Sequence, residues 1–317
     1  MARLEHSGKR SYWHLLSSTR KPSEYAIRSS RLDYYRPMRF EVDAPLVGWF
    51  EQYAAERTLS EVDWERFDDP SGFTYATYVA RRRDDEMFVQ RLLDAEAPLA
   101  GPASAELALL WQRALAPVRF PFHALQMASA YVAHLAPASK ISICAMFQAA
   151  DELRCIQRVA YRLAQLEPHC SLGLATSGKN AWLEDSAWQG LRALTEKLLV
   201  TYDFSEAFFA LTRMVAPACA RLLLLELGGE LRLAGDARSA DLLAALYEDS
   251  RWHAAWSQRL LHLIVESSPA NGEHLRGLVE QWQPLIFQAI APLTELLKIS
   301  REQSTALERS LRDFWEF

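Results

Sequence analysis

A large all-helical protein built as a bundle of long helices is what this sequence predicts, and three observations predict it. Apolar residues recur at three- and four-residue spacing over most of the chain beyond residue 70. Ile156, Val159, Ala160, Leu163 and Leu166 share one helix face, and Leu125, Ala128, Val132 and Leu135 share another one element earlier. Glycine is scarce, with 12 in 317 residues, and hairpin-type Asn-Gly or Asp-Gly pairs are few. Finally, Ala136-Pro137-Ala138-Ser139 separates the two periodic runs by a break short enough to join antiparallel neighbours in a bundle.

The same periodicity places helices at 71–96, 103–115, 121–136, 139–167, 186–200, 204–228, 236–267 (with a weak point near Ser250), 272–299 and 303–315. Pro217 and Pro292 fall inside two of these and are expected to kink or break them, and Pro168 is expected to end another. Ser171 to Asn180 is polar and punctuated by Gly173 and Gly178, which reads as a loop.

Residues 1–70 form an aromatic-rich, irregular N-terminal arm ahead of a helical domain at 71–317. Pro22, Pro37 and Pro45 forbid a long helix there, and the segment is too aromatic for a free disordered tail. Such an arm packs either on its own bundle or on a partner. Trp13, Pro22, Tyr25, Tyr34 and Trp49 are the candidates for a subunit interface, where aromatic anchors are enriched.

Composition excludes several classes. Half the residues are apolar and 24% are charged, an ordinary globular balance. A net charge of −5 argues against nucleic-acid binding, which needs a basic face. The one dense basic run, Arg81-Arg82-Arg83, is followed at once by Asp84-Asp85-Glu86 and reads as a solvated helix face. Met1 to His6 has no apolar signal core, and the most apolar segment, Val215 to Leu227, is cut by Pro217, Arg221 and Glu226. No secretion or membrane span is therefore expected. Cys144, Cys155, Cys170 and Cys219 are far apart with no Cys-x-x-Cys pair, which fits reduced thiols in the cytoplasm rather than a zinc site or disulfide framework.

Most candidate chemistry fails on inspection. Gly173 to Lys179 fits the first seven positions of a phosphate-binding loop, but Asn180 stands where magnesium needs a hydroxyl, and the preceding pattern is helical rather than a strand. A diiron centre is the serious possibility for a bundle of this length. It takes a Glu from each of two helices and a Glu-x-x-His pair from each of two others. None of the eight histidines has Glu three residues before it, and Leu107 to Ala150 contains no Asp or Glu. Asp249 and His253, four apart, read as a hydrogen-bonded pair. His123 and His134 read as core or interface histidines.

Several segments carry a family resemblance. Trp13-His14-Leu15 with Arg20 to Tyr25, Trp64 to Pro70, Tyr75 to Tyr78, Gln126 to Val132, Ala136 to Ser139, Gln148 to Asp151 with Arg154, and Trp188 to Arg192 occur in order over residues 13–260. In these the chain resembles the β subunits of bacterial multicomponent diiron monooxygenases of the toluene and alkene type, the last 50 residues least.

The resemblance implies a ferritin-like helical fold and a non-catalytic role. In that family α, β and γ chains assemble as two copies of each, and only α holds the two irons that oxygenate aromatic or alkene hydrocarbons. Electrons come from NADH through a reductase and a ferredoxin, and a regulatory protein docks on the hydroxylase. On this reading the chain has no catalytic, cofactor-binding or metal residues of its own, and the diiron cofactor belongs to α. Glu152-Leu153-Arg154-Cys155 and Asp249-Ser250-Arg251-Trp252 would be degenerate Glu-x-x-His positions, the His replaced by Cys155 and Trp252. Two other readings stay open on the residues alone. One is a free-standing helical enzyme with an atypical metal site drawn from Glu152, Cys155, Asp203 or Glu206, and the other is a helical interaction protein.

Overall fold

A computed structural model describes residues 22–30, 45–94 and 103–317 of the chain, and among these residues there is no strand. Two short helices, α1 (Glu24–Ser30) and α2 (Pro45–Tyr53), lie in the expected arm. The long helices follow: α3 (Tyr75–Asp94), α4 (Ala105–Leu110), α5 (Arg119–Leu135), α6 (Ser139–Cys170), α7 (Leu174–Glu184) and α8 (Ser186–Leu199). A continuous helix comes next, Phe204–Leu233, in which α9 (Phe204–Phe209), α10 (Ala216–Ala220) and α11 (Leu227–Leu233) are joined by π-helical turns. After it stand α12 (Ala237–Ser267), α13 (Pro269–Leu296) and α14 (Arg301–Trp315).

The bundle centres on α5, α6, the Phe204–Leu233 helix and α12. The Ala136-to-Ala138 break lays α5 back along α6, and α3, α8 and α13 pack around the outside. Phe204–Leu233 is apolar and long enough to cross a membrane by length and composition, but 83% of its most apolar window is buried within the protein, so it is the central helix of the core. The largest fully buried side chains include Trp111, Trp188, Trp256 and Trp282. Their indoles donate to Asp236, Arg113 O, Gln148 and Glu206, which satisfies a polar group that burial would otherwise leave unpaired.

Several boundaries depart from the sequence expectation, each for a local physical reason. Ser171 to Asn180 is mostly helix: only Ser171, Leu172 and Gly173 lie outside, and α7 starts at Leu174. The Glu167 carboxylate accepts from the N–H groups of Gly173 and Leu174 at 2.7 and 2.6 Å, capping α7 from the end of α6. Gly173 has φ +60°, a left-handed turn that favours glycine. Gly178 serves a close approach, since a Cβ there would stand 2.6 Å from the Cβ of Ala116. Of the polar residues that mimicked a phosphate loop, Thr176, Lys179 and Asn180 are on the exposed side of this helix.

Proline also interrupts less than expected. Pro168 lies in the last turns of α6 and Pro292 inside α13, and neither ends its helix. Around Pro217 the helix loosens into π turns at Ala210–Val215 and Arg221–Glu226 rather than breaking. The 236–267 run is unbroken at Ser250, and 103–135 is nearly continuous through a π turn at Trp111–Leu115.

Candidate functional site

The chemistry of this chain gathers where α3, α6 and α12 meet. Tyr78, Arg82 and Glu86 stand four residues apart on the inner face of α3. On α6, Asp151, Arg154 and Arg158 share the facing side, and α12 supplies Asp249 and His253. Asp249 is the hub. Arg154 Nη1 donates to its Oδ2 at 2.7 Å, and Arg82 pairs with its Oδ1. Arg82 also lies 2.9 Å from Asp151 Oδ1 through Nε, off the N–H axis, so that contact is an ion pair rather than a hydrogen bond. A third contact joins Arg82 to Asp85 at 3.0 Å. Glu86 pairs with both Arg154 and Arg158, and Arg158 donates to Gln90 at 3.0 Å. Asp151 accepts from Tyr78 Oη at 2.6 Å and lies 3.0 Å from His253 Nε2, while the Tyr78 ring stacks on Phe147 at 4.0 Å.

Three guanidinium groups thus meet four carboxylates, and His253 supplies the fourth base. Burial works to lower the His253 pKa, but its bond to Asp151 and the charges of Asp151, Glu152 and Asp249 raise it on balance. Burial first, and then the charge of Asp151, raises the pKa of Asp249 against the opposing pull of Arg82 and Arg154. Glu152, beside this network but outside its guanidinium pairs, is pushed up by burial to about 8, so its carboxyl is protonated near neutral pH. Burial also holds the thiol of Cys155 well above its usual range.

Next to the cluster a cavity of about 150 Å³ opens between the four central helices. Phe122 from α5, Glu152 and Cys155 from α6, Thr212 and Ala216 from the central helix, and Asp249 and His253 from α12 are among its lining residues. The set does not fit a diiron centre. Two of the four helices present no carboxylate, a protonated thiol replaces one imidazole, and Asp249 is already neutralised by two guanidinium groups. Among the described residues no group of three or more His, Cys, Asp and Glu is arranged to hold a metal ion.

Glu152, Cys155 and Asp249 line one cavity, and Trp252 does not. That indole points the other way, donating to Asp69 Oδ1 at 3.2 Å and packing on Phe73. The imidazole on the cavity side is His253, one residue on. Asp249 and His253 are both buried, yet His253 bonds Asp151 instead of Asp249. His123 and His134 are exposed rather than in the core. Asp203 and Glu206 line no wall of the cavity: Asp203 caps the central helix by accepting from Glu206 N at 3.1 Å, and Glu206 accepts from Trp282.

Arg82 is the residue that sequence reading missed. Arg81 and Arg83 are exposed as a solvated run requires, but the Arg82 side chain keeps only 13% of its exposure. Its signal was the four-residue spacing from Tyr78 through Arg82 to Glu86, which continues as the apolar stripe Val89 and Leu93.

Of the candidate interface residues, Pro22, Tyr25 and Trp49 are half-buried, and Trp13 and Tyr34 lie outside the described residues. Tyr25 Oη accepts from Asp69 N at 3.2 Å, and Asp69 in turn accepts from Trp252. Trp49 donates to Tyr131 Oη at 3.1 Å, and Tyr131 donates to Tyr202 O at 2.7 Å.

Comparison with known proteins places these features in context. Residues 49–268 match the family described as methane/phenol/alkene hydroxylase. Over 311 residues, 95% of the chain and 94% of the relative, it is 32% identical to the toluene-4-monooxygenase system hydroxylase component subunit beta of Ectopseudomonas mendocina. It is 23% identical over 288 residues, 88% of the chain and 83% of the relative, to the phenol 2-monooxygenase oxygenase component DmpL of Pseudomonas sp. (strain CF600). Among solved structures it is similar to toluene 4-monooxygenase with toluene in the resting active site, at TM-score 0.82 and 31% identity, covering 92% of this chain and 98% of that one. Xenon-pressurized phenol hydroxylase from Pseudomonas sp. OX1 shares the fold at TM-score 0.80 and 20% identity, with 98% of each chain covered.

Two outcomes follow from the charge cluster. Arg82→Met strips Asp249 and Asp151 of a shared cation and is expected to lower unfolding free energy by about 3–5 kcal/mol, read from urea denaturation. Adding Asp249→Asn should recover part of the loss, and strictly additive losses would refute the pairing. The second outcome concerns pH. The folded pKa of Glu152, about 8, lies above its ordinary value of 4.5, so the stability linked to its proton is complete below pH 4.5 and lost as pH rises through 8. The slope reaches up to about 1.4 kcal/mol per pH unit. Glu152→Gln should reduce the decline in stability between pH 5 and 8, and an unchanged slope in the variant would contradict a buried, protonated carboxyl.

Proposed function

This chain belongs to the methane/phenol/alkene hydroxylase family, and on that premise we propose that it is the non-catalytic β subunit of a multicomponent diiron monooxygenase, scaffolding an iron-bearing α chain. The observation that carries the proposal is the convergence of Arg82 and Arg154 on Asp249. Two fixed guanidinium charges neutralise an acid that a ligand role would have to offer to a metal, and they cannot leave when a metal arrives. Glu152, Cys155, Asp249 and Trp252 are on this reading the remnants of ligand pairs, with Trp252 turned to anchor Asp69.

The chain's contribution is therefore positional. Long helices locked by buried ion pairs and indole hydrogen bonds give α a rigid surface, which holds the geometry of a metal site built on α's own helices. Oxygenation of an aromatic or alkene hydrocarbon takes place in α. A γ chain completes an assembly with two copies of each subunit, and a regulatory protein, a ferredoxin and an NADH-dependent reductase serve the whole complex. Trp13 and Tyr34 of the arm are the proposed clasp on α, while Tyr25 and Trp49 tie the arm to its own bundle.

Co-expression with the other hydroxylase chains should yield a complex whose iron, measured by plasma emission spectroscopy, stays with α when the subunits are separated. Stoichiometric, tightly held iron and turnover of a hydrocarbon by the isolated chain would overturn the assignment in favour of a free-standing enzyme. For the clasp, deletion of residues 1–45 should abolish co-purification with α while the far-ultraviolet signal of the bundle persists, and an intact complex would exclude it.

A further inference from the structure

A second opening lies apart from the charge cluster, where α4, α11 and the end of α13 meet. It is a groove of about 240 Å³ whose apolar lining includes Leu109, Leu110, Ala114, Leu233, Leu296 and Leu297. Leu233 is 81% exposed and Leu109 48%, so two large apolar side chains of this lining stand in water. Leu225, itself 43% exposed, and Gly229 precede Leu233 at four-residue spacing and share its helix face. Among the described residues, a Cβ at Gly229 would meet no other element within 4 Å, which leaves a notch between the two leucines.

Acid without a partner borders this surface. Glu226 and Glu230 are half-buried and four residues apart, and neither makes a hydrogen bond or ion pair through its carboxyl among the described residues. Nearby cations are already engaged: Lys298 pairs with Glu106 at 2.6 Å, Arg113 with Asp185 at 2.8 Å, and Arg232 with Asp241. Burial raises the pKa of both carboxyls, Glu230 adds to the rise at Glu226, and Arg221 and Lys298 offset it only in part.

We propose that this surface receives a basic amphipathic helix from another polypeptide of the complex. An apolar side chain of that helix fills the groove beside Leu109 and Leu233, and a lysine or arginine lies between Glu226 and Glu230. Charge selects this occupant. A second copy of this chain, meeting the face about a twofold axis, would set acid against acid. Nucleic acid or lipid phosphates would meet the same repulsion. A neutral apolar helix would cover the two carboxyls and leave them unpaired, at a further desolvation cost. The groove has room for one large apolar group, since roughly 150 Å³ admits a benzene ring. The inference rests on the subunit reading for the source of the helix.

Leu233→p-benzoylphenylalanine, in the chain co-expressed with the other hydroxylase subunits, places a photo-crosslinker at the groove on a side chain that the bundle does not bury. After irradiation of the purified complex, mass spectrometry is expected to find a crosslink to a helical segment of a different polypeptide. That segment should carry apolar residues three and four apart and a net positive charge. Made as a synthetic peptide, it should bind the full-length chain by fluorescence anisotropy, on the order of tenfold more weakly to the Glu226→Gln/Glu230→Gln variant and more weakly as salt rises. A complex that assembles but crosslinks position 233 to a second copy of this chain, to an acidic or neutral segment, or to nothing overturns the proposal and leaves the subunit reading standing. Peptide affinity unchanged by the double substitution does the same, whereas a chain that assembles with no other polypeptide overturns both.

Discussion

Asp249 is held inside the bundle by two guanidinium groups that come from different helices, and the arrangement of the whole core follows from that requirement. A carboxylate taken out of water must be neutralised, and the pairing stabilises only when geometry is good and the remaining lone pairs are bonded. Here Arg82 reaches in from α3 and Arg154 from α6, and each makes a second contact, to Asp151 and Glu86 respectively. Those constraints fix the register of α3 against α6 and of both against α12.

In a metal-bearing bundle of this class, coordination clamps four helices together around the ions. This chain reaches a comparable rigidity by other means. The cluster clamps one side, and the buried Asp236 forms a second clamp, accepting from Trp111 at 2.8 Å while Arg162 and Ser239 complete its shell. The central helix compensates for its first π segment by deep burial, since all six residues of Ala210–Val215 are buried. A scaffold needs this kind of order more than it needs marginal stability, since a shift of an ångström in a supporting helix is passed on to whatever is docked against it.

The arm is tied into the same system. Asp69 accepts from the backbone of Ser71 and Phe73 and from the Trp252 indole, while its own N–H goes to Tyr25. Trp252 thus joins the arm to α12. Trp49, Tyr53, Tyr131 and Tyr202 form a second junction of rings 4.7–6.3 Å apart.

By itself the sequence determined the all-helical class, the family and the lack of Glu-x-x-His pairs, because these depend on local periodicity, composition and spacing along one helix. It misread Ser171 to Asn180, where an amphipathic surface helix capped from outside by Glu167 has the polar, glycine-marked composition of a loop. It also expected Pro168 to end a helix and Pro292 to kink or break one, and both helices continue through them because packing along a long helix outweighs one lost hydrogen bond. What only the tertiary structure decided was which charges meet. Arg82 looked like a member of a solvated run, and its partners lie on helices as far as 167 residues away. Pairings at that separation depend on the register of three packed helices, which no local pattern encodes.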